Sequence, residues 1–301
     1  MLDTRHQTFL TLAACGSFTG AAALLHLTQP AVSQHIRYLE EAYGCRLVER
    51  TGRKTSLTPQ GELLRQFATT VSSDARALRE TMLAMQPESM RFSFGATLSI
   101  GEYVMPGILS SLLIERPDMK INMAVANTHV LLDRLNHGEL DFILLEGLFD
   151  KAAYDATLFS LERFIPVCSP LSPLARGRVT LEEISGSRLI LRESGSGTRE
   201  IFGNILQKYN YSLHAFEKVT EIGNMAAIKK MVSMDLGITF LFEAAAKKEI
   251  DAGELAVIDI PGFDEQREFN FVFLKNSFFG DRYRSIFELL KKHYELWERN
   301  R

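Results

Sequence analysis

The chain has 301 residues, 46% of them hydrophobic and 24% charged, and a formal net charge of −3. This composition fits two or three globular domains with real cores and argues against a wholly basic nucleic-acid binder. No run of about 18 apolar residues occurs, so no membrane span is expected. Met1–His6 lacks the apolar stretch of an export signal, so the protein is expected to be cytoplasmic. Cys15, Cys45 and Cys168 have no metal-ligand spacing and read as free thiols. Residues 1–58 hold six basic and four acidic side chains, which leaves the remainder at −5. A mildly basic head on an acidic body suits a chain whose head alone meets phosphates.

In chain order, Phe9, Leu10, Leu12 and Ala13 have helical spacing and predict a helix over Thr4–Cys15, stopped by Gly16. Ser17 caps a second helix, Phe18–Leu25, with small Ala21, Ala22 and Ala23. After a turn at His26-Leu27, Thr28 is placed to cap a third helix with Pro30 in its first turn and Gly44 as its C-cap. Helices joined by so short a turn form a helix-turn-helix. Val32, Ile36 and Leu39 belong to the inward face of the third helix. Gln29, Pro30, Ser33, Gln34 and Arg37 share the other face, with side chains suited to base edges and phosphates. Leu47–Arg50 and Thr55–Thr58 read as two strands of a wing, with Arg53 and Lys54 at its tip. Read from pattern alone, a three-helix bundle with a polar surface remains an alternative.

Thr58-Pro59 starts a long helix with no breaker before Pro87. Leu64, Val71, Leu78 and Met85 recur every seven residues, and Ala68, Ala75 and Met82 repeat that spacing. This stripe predicts a helix that pairs with a second copy, giving a homodimer. The alternative is packing on its own chain. Gln86–Ser89 reads as a hinge.

From residue 90 strands and helices alternate, the pattern of a mostly parallel α/β sheet. Strands are expected at Arg91–Ala96, Lys120–Ala126, Asp141–Leu145, Arg163–Cys168, Arg188–Leu191, Glu217–Glu221, Gly237–Phe242, Leu255–Ile260 and Phe269–Lys275. Helices are expected at Tyr103–Arg116, Thr128–His137, Arg199–Tyr209, Asn224–Met234 and Tyr283–Trp297. The length suggests two lobes, crossed by the strands near 163–168 and 269–275. Two loops, Gly95–Gly101 and Arg192–Arg199, place hydroxyls and glycines at helix starts, where free N–H groups favour an anion. Facing each other they would hold a carboxylate, sulfate or phosphate. As plain turns, their Ser and Thr would only cap. Ser196-Gly197-Thr198 is not a nucleotide loop, because no Gly-Lys-Ser/Thr follows.

The run Phe9…Ala14, Gly16-Ser17-Phe18-Thr19, Ala21-Ala22, Leu25, Leu27–Ser33, Ile36, Leu39-Glu40, Gly44, Leu47, Glu49-Arg50, Leu57-Thr58, Gly61 closely resembles the N-terminal domain of LysR-type transcriptional regulators. Less sharply, Gly138–Asp141, Ser169-Pro170…Pro173–Ala175, Gly195–Arg199 and Ile228…Val232…Gly237-Ile238 resemble the family's two-lobed effector domain, itself like periplasmic binding proteins. The resemblance implies an α+β protein with a winged helix-turn-helix over 1–58, a linker helix and hinge over 59–87, and an effector domain over 88–301. Lobe 1 would hold about 88–162 and 268–301, and lobe 2 about 163–267. It implies a promoter-binding regulator whose DNA contacts a small anion, carboxylate or amino acid modulates. RNA polymerase is a candidate further partner.

Carried across from the family, Thr28, Gln29, Pro30, Ser33, Gln34 and Arg37 face the major groove, and Arg50, Arg53 and Lys54 lie near phosphates. Position 34 is often basic in the family and is Gln here, which leaves the preferred base open. The effector pocket is expected at Thr97, Ser99, Ser196, Gly197 and Thr198, with Glu146 nearby, where some relatives have a hydroxyl. A carboxylate at 146 would repel a simple anion unless Arg192 or Arg199 pairs with it, or unless the ligand brings its own cation. The linker helices are expected to pair through Leu64, Val71, Leu78, Met82 and Met85, and the resemblance implies a homodimer or homotetramer. The seven histidines lack metal spacing and no Gly-x-Ser-x-Gly elbow occurs, so neither catalysis, a metal nor a cofactor is expected.

Overall fold

The computed structural model describes residues 2–51, 54–83 and 90–300. Its chain forms two compact units, one of Met1–Pro87 with Arg134–Asp141 and Leu274–Asp281, the other of Glu88–Asp133, Phe142–Phe273 and Arg282–Arg301.

The first unit opens with α1 (Thr4–Cys15), α2 (Phe18–Leu24) and α3 (Gln29–Tyr43), then the wing strands β1 (Val48–Thr51) and β2 (Lys54–Leu57). The caps lie where the local chemistry puts them. Asp3, Ser17 and Thr28 accept first-turn N–H groups, and Gly16 (φ +63°) and Gly44 (φ +66°) close α1 and α3 in the left-handed conformation open to glycine. Phe9, Leu12, Ala21, Val32, Ile36, Leu39 and Leu47 form one core. The wing is antiparallel with Arg50 opposite Thr55. Its strands sit one residue off the expected spans at both ends.

α4 (Pro59–Leu83) starts at Thr58, whose hydroxyl accepts from Gly61 N–H at 3.0 Å and donates to the Arg46 carbonyl at 2.7 Å. Gly61 is required there, because a Cβ would lie 2.0 Å from the Leu47 carbonyl oxygen. Further along α4, Thr70 donates to the Lys275 carbonyl at 3.1 Å. Asp74 accepts from Ser277 Oγ at 2.6 Å and from Phe278 N–H at 2.8 Å.

The second unit contains β3 (Arg91–Ala96), α5 (Leu98–Tyr103), α6 (Met105–Glu115), β4 (Lys120–Val125), α7 (Thr128–Asn136), β5 (Phe142–Leu145) and β6 (Tyr154–Cys168), with the end of α7 belonging to the first unit. Then follow α8 (Leu181–Ser185), β7 (Arg188–Leu191), α9 (Gly197–Lys208), β8 (Lys218–Glu221), α10 (Met225–Ser233), β9 (Thr239–Phe242), α11 (Glu243–Asp251), β10 (Ala256–Val257), β11 (Glu265–Leu274) and α12 (Gly280–Asn300).

The strands run β4-β3-β5-β11-β6-β10, with β9 also on β6. β3 lies parallel to β4 and β5, while β11 pairs β5 antiparallel through Asn270–Val272. The far half of β6 pairs β9 through Phe164–Val167. A bridge from Leu189 to Ile238 then leads to the parallel pair β7-β8. β6 and β11 thus lie side by side in the middle of one seven-stranded sheet, between β5-β3-β4 on one side and β9 and β10 on the other, where the two lobes join. Lobe 1 is filled by rings, with Phe94 and Phe271 stacked on Phe142 at 5.1 and 4.5 Å. In lobe 2, Ile190, Ile228, Val232 and Leu241 form the core.

Among the spans that differ from expectation, such as β11, which starts at Glu265 rather than Phe269, and β10, which is shortened to Ala256–Val257, three have a clear physical reason. β6 starts at Tyr154 rather than Arg163, because its first residues alternate irregularly between buried and exposed and lack a two-residue period. α5 occupies a stretch read as loop. Gly101 lowers its helical propensity, yet a Cβ there would meet Val125 Cγ2 at 2.7 Å. α11 reads as polar but buries Ala244, Ala245 and Ala246, residues too small to announce a core face.

Candidate functional site

On α3, Thr28, Gln29, Pro30, Gln34 and Arg37 are exposed and Ser33 is half-buried, while Val32, Ile36 and Leu39 lie beneath. Gln29 Nε2 donates to Ser33 Oγ at 2.9 Å, a helical i,i+4 bond that fixes the amide along the polar face. Between α3 and the wing lies a hollow of about 1080 Å³, lined in part by Gln29, Ser33, Gln34, Arg37, Arg46 and Glu49. Glu40 holds the wing to α3, accepting from Leu47 N–H at 2.9 Å and Val48 N–H at 3.4 Å and pairing with Arg46 at 3.3 Å. Sequence reading missed this contact, because a bond spanning seven or eight positions leaves no periodic trace. Arg50 and Lys54 lie in the paired strands, and Arg53 lies outside the described residues.

The linker stripe needs correction at its first member. Leu64 belongs to the head core, and Ala68 is also buried. Among the described side chains of α4, the large apolar ones that are exposed are Leu63, Phe67, Leu78 and Met82, and Val71 is half-buried. The heptad assigns Leu64 to the wrong surface because the first turns of α4 carry two apolar faces, one of them covering the head. Met85 lies outside the described residues.

In the second unit the two loops meet. Thr97, at the end of β3, occupies the N-cap position of α5, but its hydroxyl caps nothing. It donates instead to Glu146, the residue after β5. Ser99 Oγ lies 3.5 Å from Thr198 Oγ1 in the first turn of α9. Ser196 caps α9, accepting from Arg199 N–H at 3.3 Å. A Cβ on Gly197 would lie 3.2 Å from the Glu146 carbonyl oxygen, so the two loops approach backbone to backbone. Gly147 turns the chain at φ +104°. Thr128, which sequence reading did not select, donates to the Glu146 carbonyl at 3.2 Å.

Thr97, Ser99, Glu146, Ser196 and Thr198 are all buried. Burial pushes the Glu146 carboxyl above the ordinary carboxylate range. Hydrogen bonds from Thr97, its own backbone and Ser99, then the charge of Arg192, offset this only in part. The internal ion pair left open above is not formed. Buried Arg192 grips its neighbour Glu193 with two bonds, of 2.7 and 2.6 Å. Arg199 pairs with Glu221 and donates to the Arg192 carbonyl. Among the described residues no cation lies within ion-pair distance of Glu146.

A further contact joins the lobes. Tyr103 of α5 packs against the lobe 2 core. Lys229 Nζ sits 4.4 Å over its ring while bonding the Ala245 carbonyl at 2.7 Å and Glu249 at 2.6 Å. Burial, with Glu102 and Glu249 nearby, pushes the Tyr103 phenol up to about 12. Among the described residues no cluster of three or more His, Cys, Asp or Glu could hold a metal, and no helix is long and apolar enough to cross a membrane.

A winged helix-turn-helix followed by a two-lobed α/β domain is the architecture of DNA-binding transcriptional regulators that carry an effector-binding domain. Comparison with known proteins gives the family. Residues 4–62 match the bacterial regulatory helix-turn-helix proteins of the lysR family, and residues 85–295 match the LysR substrate binding domain. The chain belongs to the LysR family of transcriptional regulators. It is 31% identical over 281 residues to the HTH-type transcriptional activator CmpR of Synechocystis, covering 91% of this chain and 90% of that one. The full-length LysG of Corynebacterium glutamicum, solved with its effector Arg bound, shares the fold with a TM-score of 0.63 at 17% identity, covering 98% of each chain. The regulatory domain of Synechocystis CcmR, solved with 2-PG, has a TM-score of 0.60 at 20% identity and covers 67% of this chain and 96% of that domain.

Proposed function

We propose that this regulator reads its operator through Thr28, Gln29, Pro30, Ser33, Gln34 and Arg37, with Arg50, Arg53 and Lys54 near phosphates. A small anion, carboxylate or amino acid bound among Thr97, Ser99, Glu146, Ser196, Gly197 and Thr198 modulates those contacts. The observation that carries the reading is the division of α3 into a buried apolar face and an exposed polar one whose leading amide is held by Ser33. Gln is suited to adenine and Arg to guanine or phosphate in the major groove. An effector shifts DNA contact only by binding one arrangement of the lobes better than another. Pairing of α4 along Leu63, Phe67, Val71, Leu78 and Met82 would present two reading heads to two half-sites. A cytoplasmic location follows from this role.

The test is DNA-binding titration of the full chain on its own promoter region at several salt concentrations. Gln29→Ala is expected to weaken specific binding roughly 5- to 150-fold, the equivalent of about 1–3 kcal/mol, and to relax preference at one base pair. If Arg37 meets a phosphate, Arg37→Ala lowers the salt slope by about 1. Unchanged affinity and slope in both variants would remove α3 from the interface.

A further inference from the structure

Glu146 is the buried group whose environment is least explained by folding. It is 2% exposed, its described side-chain partners are hydroxyls, and the Arg192 guanidinium, whose charge it feels, is committed to Glu193. A carboxylate taken out of water without a cation costs free energy. A neutral side chain would fill the place at less cost, so the carboxyl points to something outside the chain. One carboxylate among hydroxyls is not a metal site, which takes several ligands.

Opposite it stands a second feature of complementary chemistry. α9 is 12 residues long, and its first N–H groups, on Gly197 and Thr198, have no acceptor among the described residues. The Ser196 hydroxyl already serves Arg199 N–H. Free N–H groups at the start of such a helix bind carboxylate oxygens. Gly197 stands against the Glu146 carbonyl, and Thr198 stands 3.5 Å from Ser99, so acceptor and donors belong to two loops in direct contact, which must part to admit a ligand between them.

We propose that the effector is a free α-amino acid. Its ammonium pairs with Glu146 beside Thr97 and Ser99, and its carboxylate caps α9 at Gly197 and Thr198. The inference rests on the effector reading above and narrows it. A plain oxyanion would satisfy the α9 end and be repelled by Glu146. A plain amine would satisfy Glu146 and leave the α9 N–H groups bare.

The test is calorimetric titration of the full-length protein with each of the twenty common amino acids. Every binder is then compared with its deaminated acid and its amino alcohol. Sulfate, phosphate and a set of small carboxylates run alongside. The expected result is one amino acid that binds the wild type, with both trimmed analogues at least tenfold weaker. Glu146→Gln, which keeps shape and removes charge, should weaken it by a similar factor, and Thr198→Val should weaken it less. An anion without an amine that binds equally well in Glu146→Gln overturns this inference while leaving the effector reading intact. No binding by any compound overturns both.

Discussion

Two buried glutamates in the second unit show how differently one fold treats the same side chain. Glu265, at the start of β11, is 3% exposed, yet Lys208 bonds it at 2.5 Å, Arg267 at 2.9 Å and the Tyr209 hydroxyl at 3.1 Å. Burial pushes its carboxyl up, but these partners outweigh burial and hold it below the usual range. Glu146 is as little exposed but lies deeper in the protein, receives hydroxyls and no cation, and stays above that range. The first carboxylate is compensated by the chain and contributes to folding. The second is uncompensated, which folding alone does not favour.

The sharpest way to break this comparison is Glu265→Gln. It should destabilise the protein by about 2 kcal/mol, because the charge-assisted bonds from Lys208 and Arg267 are lost. Chemical denaturation at neutral pH reads the loss. An unchanged midpoint would mean that water serves Lys208 and Arg267 equally well. Glu146→Gln should act in the opposite direction, raising the stability of ligand-free protein by about 1 kcal/mol, which is roughly 2–4 °C in melting temperature for a unit of this size. A loss of stability would show that the charge is already balanced.

The two signs separate further with pH. Glu146 has a raised folded-state value, so its cost is absent below its unfolded value and fully felt once pH rises through the folded one. The advantage of Glu146→Gln therefore grows with pH. Glu265 has a depressed value, so its contribution is present above its unfolded value and lost as pH falls through the folded one. The smallest effect concerns Thr97→Val, which should cost about 1 kcal/mol in the wild type and about half that in Glu146→Gln. Equal costs in both backgrounds would uncouple Thr97 from Glu146.

How much of this was legible depended on the reach of each interaction. The head was readable because its signals are local. Thr28 caps a helix three residues on, and Gly16 and Gly44 end helices that their own positions terminate. The bond from Glu40 to the wing and the choice between Leu64 and Leu63 as the outward side chain of α4 depend on what packs above them, which spacing does not encode. In the lobes, the Gly-hydroxyl loops could be selected by their chemistry, and family resemblance singled out their residues. Their meeting through Gly197 and Ser99 required the folded chain. The choice by Arg192 of its neighbour Glu193 over Glu146 is a competition between nearby carboxylates that residue types alone leave open.

The closeness of the two loops also has a kinetic consequence. With Thr97, Ser99, Glu146, Ser196 and Thr198 all buried and Gly197 against the Glu146 carbonyl, no molecule reaches the carboxylate by diffusion alone. The loops must first separate, a step that proteins of this kind make on microsecond-to-millisecond timescales. The observed rate of effector capture should therefore rise with concentration and then level off at the opening rate. Under the proposed effector reading, the backbone contact between Gly197 and Glu146 would limit how fast the regulator answers a change in its surroundings.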